Sequence, residues 1–229
     1  MANLGGTYTS FRRERQTLRR CAGTATLHAM TSDVLAQLGV ATGVAAASGL
    51  RLYGTVAALG LLHHLGALRL PGALDVLGHP AVIALAAALY VAEFIADKVP
   101  AFDSLWDALH TFIRIPAAAI LGFALLSDVQ EPWRTAAALL TGAVALSTHG
   151  LKASTRLAVN TSPEPFTNWG LSLSEDVAWV GILWLLVEHP WVALLLGLAL
   201  LVFAGVVAGW IVRGLRRLTR RRAPAPGRA

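Results

Sequence analysis

Seven ionisable side chains crowd the stretch Ala92 to Arg114 of a 229-residue chain that is 55% hydrophobic and only 14% charged. They are Glu93, Asp97, Lys98, Asp103, Asp107, His110 and Arg114. Carboxylates and an imidazole together can coordinate a hard or borderline cation, or exchange protons along a relay. Glu93 and Asp97 stand four apart and share a helix face, and Asp103, Asp107, His110, Thr111 and Arg114 follow a second stripe at helical spacing. The two stripes converge on a bend expected at Pro100. A structural reading competes with the chemical one. In it, Asp97, Asp103 and Asp107 pair with Lys98, Arg114, Lys152 or Arg156 and anchor an interfacial helix. Glu93 lies deeper in its apolar run, where an unpaired charge is costly, so it calls for a partner or a purpose.

Arg51 is the second costly charge, because it interrupts the apolar stretch Val34 to Leu68. An Arg at the centre of a membrane helix costs about 2.5–3.5 kcal/mol on insertion scales. Glu93 or Glu175 is the expected partner, and snorkelling to the interface is the alternative. Asn160, Ser162 and Glu164 fall in a Pro-interrupted segment whose backbone and side-chain oxygens suit an ion or a polar headgroup if it is buried. The adjacent His63 and His64 point about 100° apart on a helix, a poor chelate, and read as interfacial. No Walker A, His-Glu-x-x-His, Gly-x-Ser-x-Gly or Cys-x-x-Cys pattern occurs, which disfavours a nucleotide-driven or standard hydrolytic enzyme. No residue is assigned a catalytic role and no cofactor is expected. A lipid-directed enzyme acting through Asp107 and His110 ranks third among the readings. The single Cys21 excludes an intrachain disulfide.

The elements that must position these groups are membrane helices. Mean hydropathy is +0.59, and Trp191 to Val212 carries no charge over a length that spans a hydrocarbon core of roughly 30 Å. An all-α integral membrane domain is expected over 33–212, with about six spans and a broken or re-entrant first helix, since 34–68 is too long for one perpendicular span and Gly49 and Gly54 flank Arg51. It is preceded by a basic polar tail, 1–32, and followed by a basic disordered tail, 213–229. Met30 is an alternative start to Met1. The net charge of +6 is concentrated in these tails, pointing to anionic lipid headgroups as partners rather than nucleic acid. A homo-oligomer is compatible with this composition. Trp133, Trp169, Trp191 and Trp210 fall near expected span ends, as an aromatic belt would.

With both termini on the cytoplasmic face of the cell membrane, sixteen of the nineteen Lys and Arg face that side. A weak internal repeat is visible. Thr42-Gly43 and Ser48-Gly49-Leu50-Arg51 match Thr141-Gly142 and His149-Gly150-Leu151-Lys152, which with three spans per half (33–127 and 134–212) implies an inverted repeat.

The strings ADKVPAFDSLWDALHTFIR at Ala96 to Arg114, SGLRLY at Ser48 to Tyr53 and NTSPEPFTNW at Asn160 to Trp169 resemble a family of multi-pass membrane proteins of bacteria and plastids known only as a domain of unknown function. The likeness covers roughly Val34 to Val212 and implies a membrane location without an activity. The leading functional expectation is passage of an ion or small polar solute, with Arg51, Glu93, Asp97 and Lys152 near the midplane or inner vestibule, and with Glu175 among the pathway residues. The alternative is a non-transporting scaffold or headgroup-binding protein.

Overall fold

A computed structural model describes residues 34–159 and 165–221, all of the regular structure in them helical. Helix α1 covers Val34–Leu50 and α2 Leu52–His64, a 3-10 turn Gly72–Gly78 precedes α3 (Pro80–Ala96), and α4 (Pro100–Leu125), α5 (Glu131–Val159), α6 (Pro165–Glu188) and α7 (Pro190–Arg221) follow. Prolines open α3 and α4 at the first helical turn, where a missing N–H breaks no intrahelical bond. Gly66, with φ +72°, lets the chain leave α2 through the left-handed conformation that a Cβ disfavours.

Three helical segments are long and apolar enough to cross a membrane, namely Leu105–Leu125, Phe166–Glu188 and Pro190–Arg213. The 3-10 turn and α3, bent by 67° between them, make a fourth as one broken span. Their outward faces are apolar and open. On α4, Leu109, Ile113 and Ile120 are exposed and Phe112 is 82% accessible, whereas Asp103, Asp107, His110, Arg114, Ala118, Leu121 and Leu125 form the buried stripe. On α5 the buried stripe is Ala137, Thr141, Val144, Thr148, Lys152 and Arg156. Both stripes recur every three or four residues and both change from apolar to charged along their length.

The 34–68 region is a hairpin of two helices with Arg51 at its tip. Arg51 is the one non-helical residue between α1 and α2, with φ −140° and ψ 87°. Ala36, Gln37 and Val40, near the start of α1, line a single cleft with Leu68 to Pro71, Leu125 and Asp128. A straight helix over these residues would hold Ala36 and Leu70 about 50 Å apart, so the chain must double back at Arg51. Small residues allow α1 into the interior. A Cβ on Gly39 would run into the Pro190 carbonyl, one on Gly43 would come 2.7 Å from Leu186, and one on Gly49 would overlap Thr148.

Three layers follow along the bundle. The first is apolar and includes Ala41, Val44, Leu59, Leu74, Leu121, Ala137, Leu186 and Ala193. The second is built of small residues, Ala45, Ala46, Ala47, Ala118, Val144 and Ala145, with Ile182. The third is charged and is described below.

This geometry bears on three expectations. The start of α1 lies at the end of the bundle that holds Pro71, Asp128 and Pro190, and α7 ends at the other, so the two ends of the described chain do not share a face. Both matched stretches, 42–51 and 141–152, run in the same direction, from the apolar layer down to the charged one. Helix α7 continues to Arg221, so the segment from Arg213 to Arg221 is helix rather than disordered tail. The basic stretch 1–32 lies outside the described residues.

Candidate functional site

The helix break at Arg51 sets the chemistry of the charged layer. A helix end leaves its last carbonyls without intrahelical donors and carries the negative end of the macrodipole. Cations meet it. Arg114 Nη1 donates to the carbonyls of Gly49 (3.1 Å) and Leu50 (3.3 Å), and Lys152 Nζ donates to Leu50 at 3.3 Å. Thr55 Oγ1 donates to the Arg51 carbonyl at 2.7 Å and accepts from Trp179 Nε1 at 2.9 Å.

Those cations are in turn held by carboxylates. Asp97, fully buried just past the end of α3, is the hub. Arg51 Nη1 pairs with its Oδ2, Lys152 Nζ lies 3.1 Å and Arg156 Nη2 3.5 Å from the same oxygen, and its own carbonyl accepts from Arg156 at 2.6 Å and Asn168 at 3.3 Å. Arg51 Nε also donates to Asp176 at 2.8 Å. Glu93 pairs with Arg114. Glu175 accepts two bonds from Arg156, at 3.0 Å to Nε and 2.6 Å to Nη2, a bidentate fork that fixes guanidinium orientation. Asp103 stands 3.7 Å from Arg156.

Two histidines frame the layer, and their partners assign their tautomers. Arg114 can only donate, so His149 Nδ1 accepts at 3.2 Å and its Nε2–H points at Thr111 Oγ1 (2.8 Å) and the Asp107 carbonyl (3.1 Å). His110 Nδ1 lies 2.7 Å from the Trp106 carbonyl and must carry the hydrogen, leaving Nε2 to accept from Tyr53 at 3.1 Å. Its ring stacks on Trp106 with centroids 4.3 Å apart.

Six carboxylates, Glu93, Asp97, Asp103, Asp107, Glu175 and Asp176, thus contact four bases, Arg51, Arg114, Lys152 and Arg156. Asp107 differs from the rest. Both of its oxygens are buried and accept no hydrogen bond among the described residues, and its nearest cations, Arg114 and Lys152, stand 3.8 Å away. One oxygen each of Asp97, Asp103 and Asp107 lies within 4.8 Å of the others.

From α5 outward, a cleft of about 290 Å³ lined by Leu151, Thr155, Leu171, Ser174, Leu196 and Leu200 reaches Lys152 and Glu175. It connects the charged layer with the flank of the bundle.

The sequence matches one family description, a domain of unknown function, over residues 38–210. The chain belongs to the DUF4126 family. No curated protein and no solved structure matches it. Within this DUF4126 domain, the expected residues Arg51, Glu93, Asp97, Asp103, Asp107, Arg114, Lys152, Arg156 and Glu175 come together. Lys98 does not join them, its ammonium lying 3.2 Å from the Phe94 ring centroid instead, and His110 faces Tyr53. Asn160, Ser162 and Glu164 lie outside the described residues. The expected pairing of Arg51 with Glu93 or Glu175 is corrected, since Asp97 and Asp176 hold Arg51 and Arg114 holds Glu93. Asp176, His149, Asn168 and Ser172, whose hydroxyl accepts from Arg51 Nη2 at 3.4 Å, join the layer beyond the residues expected. Asp176 sits beside Glu175 in an apolar run, and that adjacency was the available signal.

Proposed function

We propose that this DUF4126 protein is an integral membrane protein that takes a cation, or a small solute carrying one, into its charged layer and passes it across the bilayer. The observation that carries the reading is that, among the described residues, six carboxylates contact four bases inside a bundle whose outward faces are apolar. Buried charge of one sign without compensation is costly, and a proton or another cation relieves it. The Arg51 hairpin supports the same reading, because non-helical backbone at membrane depth persists only inside protein or along a cavity.

In this arrangement α1 and α2 form a re-entrant hairpin, and the 3-10/α3 pair, α4, α5, α6 and α7 make five crossings. Trp133 and Trp191 then mark one interface, and Trp169 and Trp210, all four exposed, the other. The face carrying Arg213 and Arg216 is the cytoplasmic one by its positive charge. The scaffold reading is favoured by one observation, that Glu93 and Arg51 are fully buried and paired.

Flux separates them. Proteoliposomes under a proton or cation gradient, read with an enclosed indicator dye, should show flux with the wild type that Glu93→Gln and Asp107→Asn reduce at least several-fold. Dye traces that match empty vesicles, or leak equal in wild type and both variants, refute transport.

A further inference from the structure

The geometry points to a divalent cation site at Asp97, Asp103 and Asp107, an inference that rests on the cation reading above and names its ligand class. Asp103 and Asp107 are one helical turn apart on α4, and Asp97 is delivered beside them by the short connection from α3 that Pro100 closes. Their oxygens lie within 4.8 Å of one another, the separation expected for donors ringing one ion at roughly 2.0–2.6 Å. All three donors are hard oxygens, which select Mg²⁺, Ca²⁺ or Mn²⁺ over softer metals.

Clustered acids alone would not distinguish a site from a salt-bridge network, but the state of Asp107 does. Its residue is 3% exposed, both carboxylate oxygens accept no hydrogen bond among the described residues, and the nearest cations are at 3.8 Å. Buried carboxylates otherwise find donors. This one is turned toward Asp97 and Asp103. The charge count agrees, since among the described residues six carboxylates contact four bases.

Lys152 is the resident competitor. Its ammonium lies 3.1 Å from Asp97 and 3.8 Å from Asp107, so an entering ion meets a positive charge already shared by two of its ligands. Arg156, 3.5 Å from Asp97 and 3.7 Å from Asp103, holds the other side. Removing the Lys152 charge should therefore tighten binding, whereas removing the Asp107 charge should abolish it.

The test is Mn²⁺ titration of the full-length protein in detergent, with free Mn²⁺ read by electron paramagnetic resonance. Wild type should bind one ion per chain. Asp107→Asn should weaken binding at least tenfold, Lys152→Met should tighten it several-fold, and Glu131→Gln, remote from the layer, should leave it unchanged. Absence of saturable binding to the wild type overturns the site, as does an Asp107→Asn or Lys152→Met affinity equal to wild type. Should Asp107→Asn not yield folded protein, Lys152→Met decides alone. The two proposals fail separately. Proton or monovalent flux sensitive to Asp107→Asn without Mn²⁺ binding overturns this site and leaves transport standing. Stoichiometric Mn²⁺ binding without flux of any cation does the reverse.

Discussion

Neutralising Asp97 is the sharpest perturbation of this structure, because one carboxylate answers three cations. Arg51, Lys152 and Arg156 all contact Asp97 Oδ2, and all four side chains are at most 1% exposed. In Asp97→Asn the shape is kept and the charge is lost, so the three bases face one another across a polar but neutral amide. Removing one partner of a buried ion pair costs about 3–5 kcal/mol. Glu93→Gln is the comparison. Glu93 answers Arg114 alone, and Arg114 keeps the carbonyls of Gly49 and Leu50 and the His149 ring as acceptors, so about 1–3 kcal/mol is expected.

At about 2–4 °C per kcal/mol for a chain of this size, Asp97→Asn should lower the melting midpoint by about 6–20 °C and Glu93→Gln by about 2–12 °C. The assay is intrinsic fluorescence of the purified protein in detergent, which its seven Trp make sensitive. Adding Lys152→Met to Asp97→Asn should recover part of the loss, since the pair is then replaced rather than broken. An Asp97→Asn midpoint within about 2 °C of wild type, or above that of Glu93→Gln, would refute the hub.

Two further predictions address the frame. Gly122→Ala drives a Cβ into Thr141, and Gly49→Ala drives one into Thr148 and to 2.8 Å from the Ala145 carbonyl. Each should cost about 1–3 kcal/mol by overpacking. Gly150→Ala, with nothing within 4 Å, should instead gain about 0.5–1 kcal/mol, and thermal melts of the three variants check the contrast. For the hairpin, single cysteines at Leu35, Ala67 and Arg216, all exposed, are placed in a Cys21→Ser background. A membrane-impermeant thiol reagent applied to oriented vesicles should label Leu35→Cys and Ala67→Cys from one side and Arg216→Cys from the other. Labelling of Leu35→Cys and Ala67→Cys from opposite sides would show that α1 and α2 make one continuous crossing.

Which charges belong together was legible in the sequence; how they pair was not. Glu93, Asp97, Asp103, Asp107 and Arg114 stand out because hydrocarbon surrounds them, and helical spacing puts Asp103, Asp107, His110 and Arg114 on one stripe, as found. Spacing along a helix says nothing about what crosses from another, so the assignment of Arg51 to Asp97 and Asp176 required the fold. The repeat shows the same limit. Arg51 and Lys152 hold matching places in their stretches and both end on Asp97, yet their common direction depends on the reversal at Arg51, where the sequence marks a break without saying whether the chain turns back.

That reversal explains why the layer holds so much charge at all. A helix ending inside the bundle leaves the Gly49 and Leu50 carbonyls without intrahelical donors, and buried backbone acceptors need partners. Arg114 and Lys152 satisfy them, and each brings a positive charge that must be balanced in turn, Arg114 by Glu93 and Lys152 by Asp97. Compensation of the hairpin tip is complete at that stage. Asp107 stands 3.8 Å from both Arg114 and Lys152, yet its carboxylate accepts no hydrogen bond among the described residues. A network built only to seat a helix end has Glu93 and Asp97 in direct contact with those two cations, so the more loosely held Asp107 is where the case for a bound cation begins.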